Sequence, residues 1–215
     1  MPLDPDAAQA FLTALAHMGL LDPDESPVLT PLTGGVSSDI VRADLRRGAV
    51  CIKRALPKLK VKADWQAPVE RNRWEVEWMR VVAQVLPRAV PHILGVDAAL
   101  GMFAMSYLDA DSYPVWKALL RDGIVDAGFA GAVGDALGRI HAFSATRAEL
   151  RECFDTGHIF FPIRLEPYLI ATGRAHPDLA AHFEALAQRT FATQLTLVHG
   201  DISPKNILRG LDGPV

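Results

Sequence analysis

The sequence predicts an α+β fold in two lobes, an antiparallel sheet with one helix over residues 1–107 and a mainly helical lobe over 108–215. Three observations predict it. Apolar residues follow strand-like patterns between Val28 and Ala55. A strand pair returns over 93–107 and turns at Leu100-Gly101. From Tyr113 onward the spacing becomes mainly helical, so the connector Leu108-Asp109-Ala110-Asp111-Ser112 marks the change of lobe.

Residues 4–20 read as an amphipathic helix, with Ala7, Ala10, Phe11, Ala14, Leu15 and Met18 at helical spacing. Asp4 suits the N-cap, Pro5 the first helical position and Gly19 the stop. Three strands follow at Val28–Leu32, Asp39–Leu45 and Ala49–Ala55. Thr33-Gly34-Gly35-Val36-Ser37-Ser38 joins the first two, and Arg46-Arg47-Gly48 turns between the second and third. The stretch 56–68, with Lys58, Lys60 and Lys62, reads as a mobile basic loop. A helix over 69–86 has Trp74, Trp78, Met79, Val82, Val85 and Leu86 on its apolar side and ends before Pro87. Strands at 93–98 and 102–107 complete the sheet. The second lobe has expected helices over 115–121, 126–143, 164–173 and 178–192, and expected strands at Leu195–Val198 and Ile207–Arg209.

A length of 215 residues supplies one large domain or two small lobes around a cleft. A net charge of -3 argues against a dedicated nucleic-acid binder. Two cysteines, Cys51 and Cys153, give no disulfide framework. The acidic start, Met1 to Asp6, lacks a signal-peptide pattern, and no run of about 18 apolar residues occurs. The expectation is a cytoplasmic protein with neither membrane nor nucleic-acid partner. Its oligomeric state is not legible.

The chemistry concentrates in His199-Gly200-Asp201-Ile202-Ser203-Pro204-Lys205-Asn206. Phosphoryl transfer to a hydroxyl needs a carboxylate to orient the acceptor oxygen and take its proton, and oxygen ligands for magnesium. Asp201 and Asn206 enclose four residues, which puts both side chains on one short loop between two apolar stretches. Read alone, the segment is also compatible with a turn built from Asp, Ser, Pro and Asn. Other features point the same way. Gly34 and Gly35, with Ser37 and Ser38, can bring backbone N–H groups and hydroxyls to phosphates. Lys53 ends an apolar strand, and Glu75 or Glu77 on the next helix could pair with it.

Together these features resemble the aminoglycoside phosphotransferase and choline-kinase-like family of small-molecule kinases, whose fold is protein-kinase-like. Leu197-Val198-His199-Gly200-Asp201 with Asn206 carries most of the resemblance. Leu32 to Ser38 is similar to the family's nucleotide loop, Phe103 to Leu108 to its strand before the hinge, and Gly138-Arg139-Ile140-His141 to the end of its long helix. The resemblance implies ATP and Mg as cofactors and a small-molecule hydroxyl as acceptor. It implies Asp201 as catalytic base and Asn206 as a catalytic-loop magnesium ligand. Gly34, Gly35, Ser37 and Ser38 would surround the phosphates. Lys53, held by Glu75, would reach the α- and β-phosphates, and the backbone of Ser106, Tyr107 and Leu108 would meet adenine. His141 and His199 are expected to buttress the loop, and Lys205 to face the transferring phosphate or solvent. Asp109 and Asp111 would favour a cationic acceptor or form a solvated connector.

One departure is expected at the C-terminus. The family has a second metal-binding Asp beyond the Asn, whereas Asp212 in Leu211-Asp212-Gly213 reads as a turn residue. The returning strand is expected to begin at Pro214-Val215 and go no further, leaving the hairpin one strand short. The resemblance implies further C-terminal helices, so the helical lobe is expected to be incomplete and the sequence truncated at its C-terminal end. The alternative function is therefore a catalytically impaired, nucleotide- or partner-binding remnant of such a kinase.

Overall fold

The computed structural model describes residues 3–32, 37–58 and 68–215. They fall into two compact units, residues 1–133 with 204–215, and residues 134–203.

The first unit is built on a five-stranded antiparallel sheet. Its strands are β1 (Val28–Pro31), β2 (Ser38–Leu45), β3 (Gly48–Ala55), β4 (Ile93–Asp97) and β5 (Met102–Ser106), in spatial order β1-β2-β3-β5-β4. Leu45 pairs with Gly48 across the two-residue turn, where Gly48 takes a φ of 115°. That backbone conformation favours glycine.

Helix α1 (Pro5–His17) covers one sheet face. Asp4 caps it by accepting from the Ala7 N–H at 3.4 Å, and Gly19 leaves it at φ 69°. Phe11, Ala14 and Leu15 form one buried cluster with Val41, Ala43, Leu45, Val50, Ile52, Met102 and Ala104. A Cβ on Gly95 would come within 2.8 Å of Met18 Cβ, so α1's end and β4 approach closely.

Strand alternation sends Ser38, Ile40, Cys51, Lys53, Ala55 and Phe103 to the opposite face. Helix α2 (Arg71–Ala83) meets Lys53 there. Its buried residues are Asn72, Val76, Met79, Val81 and Val82. Met79 and Val82 of the expected apolar side are buried, but the buried stripe is rotated from Trp74 and Trp78 toward Asn72 and Val76. Both indoles are only half-buried. Asn72 reaches inward because its Nδ2 donates to the Gly101 carbonyl at 2.7 Å.

Helix α3 (Trp116–Arg121) and the start of α4 (Ala127–Ala145) follow. The last residues return to this unit as β6 (Arg209–Gly210) and β7 (Gly213–Pro214). The short return at the C-terminal end forms as expected, but the expectation of a hairpin left with unpaired backbone is corrected. The Leu208 and Val215 backbones exchange hydrogen bonds of 2.8 and 3.0 Å, and Leu208 bridges to Val115 on its other side. Asp212 lies in the turn, as expected, and pairs with Arg88 at 2.8 Å.

The second unit is helical. It contains the end of α4, then α5 (Ala148–Cys153), α6 (Gly157–Phe160), a wide π-helical segment (Phe161–Ile170), α7 (Ala171–Ala175) and α8 (Ala180–Ala192). Phe161 and Phe191 meet edge-on at 5.7 Å, and a Cβ on Gly157 would press within 3.1 Å of Phe191. The expected strand at Leu195–Val198 does not form. Those residues have no ladder partner among the described residues, the chain bends at Thr196, and Leu195 is 70% exposed.

Candidate active site

In the first unit, Ser38 and Lys53 share one face of the sheet, and Glu75 reaches Lys53 there from α2. Lys53 is mostly buried, and its Nζ donates to both oxygens of Glu75, at 2.6 and 2.8 Å. A β3 lysine gripped from α2 by a bidentate carboxylate has a fixed reach. Glu77, the other candidate, pairs instead with Arg80 on its own helix at 2.6 Å. Beside Lys53, burial pushes the Cys51 thiol up to about 11, with the Lys53 charge opposing the shift. Cys51 is therefore a packing residue rather than a nucleophile.

Ser38 is buried at the start of β2, opposite Ala55 and on the Lys53 face. Ser37 directly precedes it. Gly34 and Gly35 lie outside the described residues.

At the end of β5, the Ser106 N–H donates to the His92 carbonyl at 2.8 Å, and the Ser106 hydroxyl accepts from the His92 N–H at 3.0 Å. These two bonds tie the end of β5 to the start of β4. The Tyr107 ring lies under the Arg42 guanidinium at 4.7 Å, and Arg42 also pairs with Asp44 at 2.7 Å. Asp109 accepts from the Ser112 hydroxyl and N–H at 3.0 and 3.1 Å, which hold its carboxyl below the usual range. It closes the connector turn. Asn206 ends a single 3₁₀ turn, Pro204–Asn206, that leads into buried Ile207. The Ile207 carbonyl accepts from the Trp116 N–H at 2.9 Å.

In the second unit, Asp201 is held from two sides. Arg164 Nη2 lies 3.3 Å from its carboxylate, while Arg164 Nε donates to the Gly200 carbonyl at 2.6 Å. The Asp201 N–H donates to His199 Nδ1 at 3.2 Å, so that nitrogen acts as an acceptor and the ring braces the loop. Gly200 sits at φ 79°. Behind the loop, the buried Ser144 hydroxyl accepts from the Leu197 N–H at 3.0 Å and lies 2.6 Å from the Thr196 hydroxyl. Thr196 in turn donates to the His141 carbonyl at 3.1 Å. His141 thus contributes through its backbone, at the end of the long helix.

Sequence reasoning missed Arg164, Ser144 and Thr196. The one signal for Arg164 was a lone cation in the apolar run Ile159–Ile170.

Among the described residues, no group of three or more His, Cys, Asp or Glu gathers where a metal ion would be held. The donor set does not make a dedicated cage. A magnesium ion carried by nucleotide phosphates needs fewer protein oxygens, and the Asn206 amide fits that lesser role.

The model of the phosphotransferase enzyme family matches residues 28–215. Among solved structures, a candidate fructosamine-3-kinase from Thermobifida fusca YX-ER1 is similar at 19% identity, with a TM-score of 0.39. The similarity covers 61% of this protein and 39% of that one, so the present sequence spans well under half that protein's length. No curated protein matches it.

Proposed function

The chain belongs to the phosphotransferase enzyme family, and from that premise we propose that it binds ATP and serves a kinase that transfers the γ-phosphate to a small-molecule hydroxyl. The observation that carries this reading is the Lys53–Glu75 pair, a fixed cation on the sheet face opposite α1. We take residues 1–107 as the nucleotide lobe and 108–215 as part of the helical lobe.

In this reading Lys53 meets the α- and β-phosphates. Gly34, Gly35, Ser37 and Ser38 surround them, and the backbone of Ser106 to Leu108 meets the base. Asp201 orients the acceptor hydroxyl and takes its proton. The acceptor oxygen then bonds to the γ-phosphorus as the bond to the bridging oxygen breaks, leaving ADP. Magnesium, where bound, neutralises phosphate charge, with Asn206 as a protein ligand. In the same reading Lys205, next to Asn206 in sequence, faces the transferring phosphate.

Calorimetric titration with Mg-ATP, paired with a transfer assay on amino alcohols and sugars, tests the proposal. The wild-type protein should bind ATP, and Lys53→Met should weaken binding roughly tenfold or more. Asp201→Ala should leave binding intact and lower transfer by about 10²–10⁴. Failure of the wild-type protein to bind ATP would sink the reading. Binding without transfer would identify a nucleotide-binding remnant.

A further inference from the structure

Helix α2 carries a second prong besides Glu75. Arg71 opens the helix four positions earlier and so lies on the same side. Its Nη1 donates to the Pro68 carbonyl at 2.8 Å. Its Nη2 donates to the Leu56 carbonyl at 2.8 Å and to the Ser37 carbonyl. Ser37 also accepts from the Leu56 N–H at 3.0 Å. The three carbonyls belong to three separate stretches: the residue entering β2, the residue leaving β3, and the approach to α2. Burial disfavours the guanidinium charge, and Glu75 partly offsets that. A half-buried cation directed at three backbone carbonyls is costly to desolvate, and what it secures is relative position.

We propose that Arg71 is a positioning residue for nucleotide binding, which fixes the Ser37 end of the glycine-rich connection while Glu75, one helical turn later, fixes Lys53. The inference rests on the nucleotide site proposed above. One rigid helix would then set both the cation and the backbone that meet the phosphates. The planar, forked guanidinium supplies two terminal nitrogens aimed at separate carbonyls, whereas a lysine offers a single point charge.

The test compares Arg71→Met, Arg71→Lys and Leu15→Ala with the wild-type protein. Leu15 is buried on the opposite sheet face and serves as a stability control. Two quantities are read: Mg-ATP affinity by calorimetry, and hydrogen exchange at the Leu56 amide. Arg71→Met should weaken affinity roughly tenfold and speed Leu56 exchange by a similar factor. Arg71→Lys should fall between, and Leu15→Ala should lower Tm with affinity unchanged. Unchanged affinity or unchanged Leu56 protection in Arg71→Met overturns the proposal. So does full wild-type affinity in Arg71→Lys, or an affinity loss in Leu15→Ala matching that of Arg71→Met. If Arg71→Met does not fold, the lysine variant decides. If the wild-type protein binds no ATP, the nucleotide reading fails and the positioning role fails with it. Faster Leu56 exchange in that case would show a purely structural clamp.

Discussion

Gly200 shows how one backbone angle can shape a site. It sits at φ 79°, and the nearest atom to an added Cβ would be Phe160 Cε2 at 3.8 Å. Space is available, so the penalty on a side chain is conformational. Gly200→Ala should cost about 1–2 kcal/mol, which calorimetry would read as a Tm drop of roughly 2–8 °C. Because Arg164 grips this carbonyl, the variant should also disturb Asp201. Resonances of the Asp201 amide should shift more than those of α8. The His199-Gly200-Asp201 arrangement was legible in sequence because its residues are adjacent and chemically distinctive. Arg164 was not, since a backbone carbonyl partner leaves no mark on residue identity. The same holds for Ser144, a helix serine whose role depends on the Leu197 N–H.

The elements were legible where burial has a simple period. Strands β1 to β5 lie within about one residue of the expected spans, because hydrophobic patterning and the Gly48 and Gly101 turns leave little freedom. The face of α2 was legible at Met79 and Val82 but not at its N-terminal half, because tryptophan is too large and too polar at one edge to define a buried stripe, while Asn72 is buried by its hydrogen bond. The π-helical segment was expected as an ordinary helix. Pro167 has no N–H for the Ile163 carbonyl four residues back, and Arg164 Nη1 donates there instead, at 3.2 Å. Leu195 and Val198 show that an apolar stretch becomes a strand only when a partner edge is present. The joint between α1 and the β4–β5 hairpin yields a pH prediction. Buried Asp97 accepts from the Leu100 N–H at 3.0 Å and meets His17 Nδ1 at 2.8 Å. The Leu100 bond first, then His17, hold its carboxyl below the usual range. Its folded-state pKa is depressed, so its contribution is complete above the unfolded pKa of about 3.9 and is lost as pH falls through the folded value. Thermal melts from pH 6 down to 3 should show Tm falling at the acid end. Asp97→Asn should lower Tm at pH 6 and flatten that acid slope.

At the scale of the whole molecule, no helix among the described residues is long and apolar enough to cross a membrane. The family match begins at residue 28, whereas α1 spans Pro5–His17. Phe11, Ala14 and Leu15 nevertheless sit fully buried against Val41, Ile52 and Ala104. A boundary drawn by homology therefore cuts through a hydrophobic core. Residues 28–215 produced alone should bare one side of the sheet to water, bind a hydrophobic dye and associate in a sizing column. A trimmed protein that stays monomeric with an unchanged Tm would show that α1 is dispensable. The helix before the matched span acts as a resident chaperone for the sheet, covering from within the same polypeptide a surface that would otherwise seek another molecule.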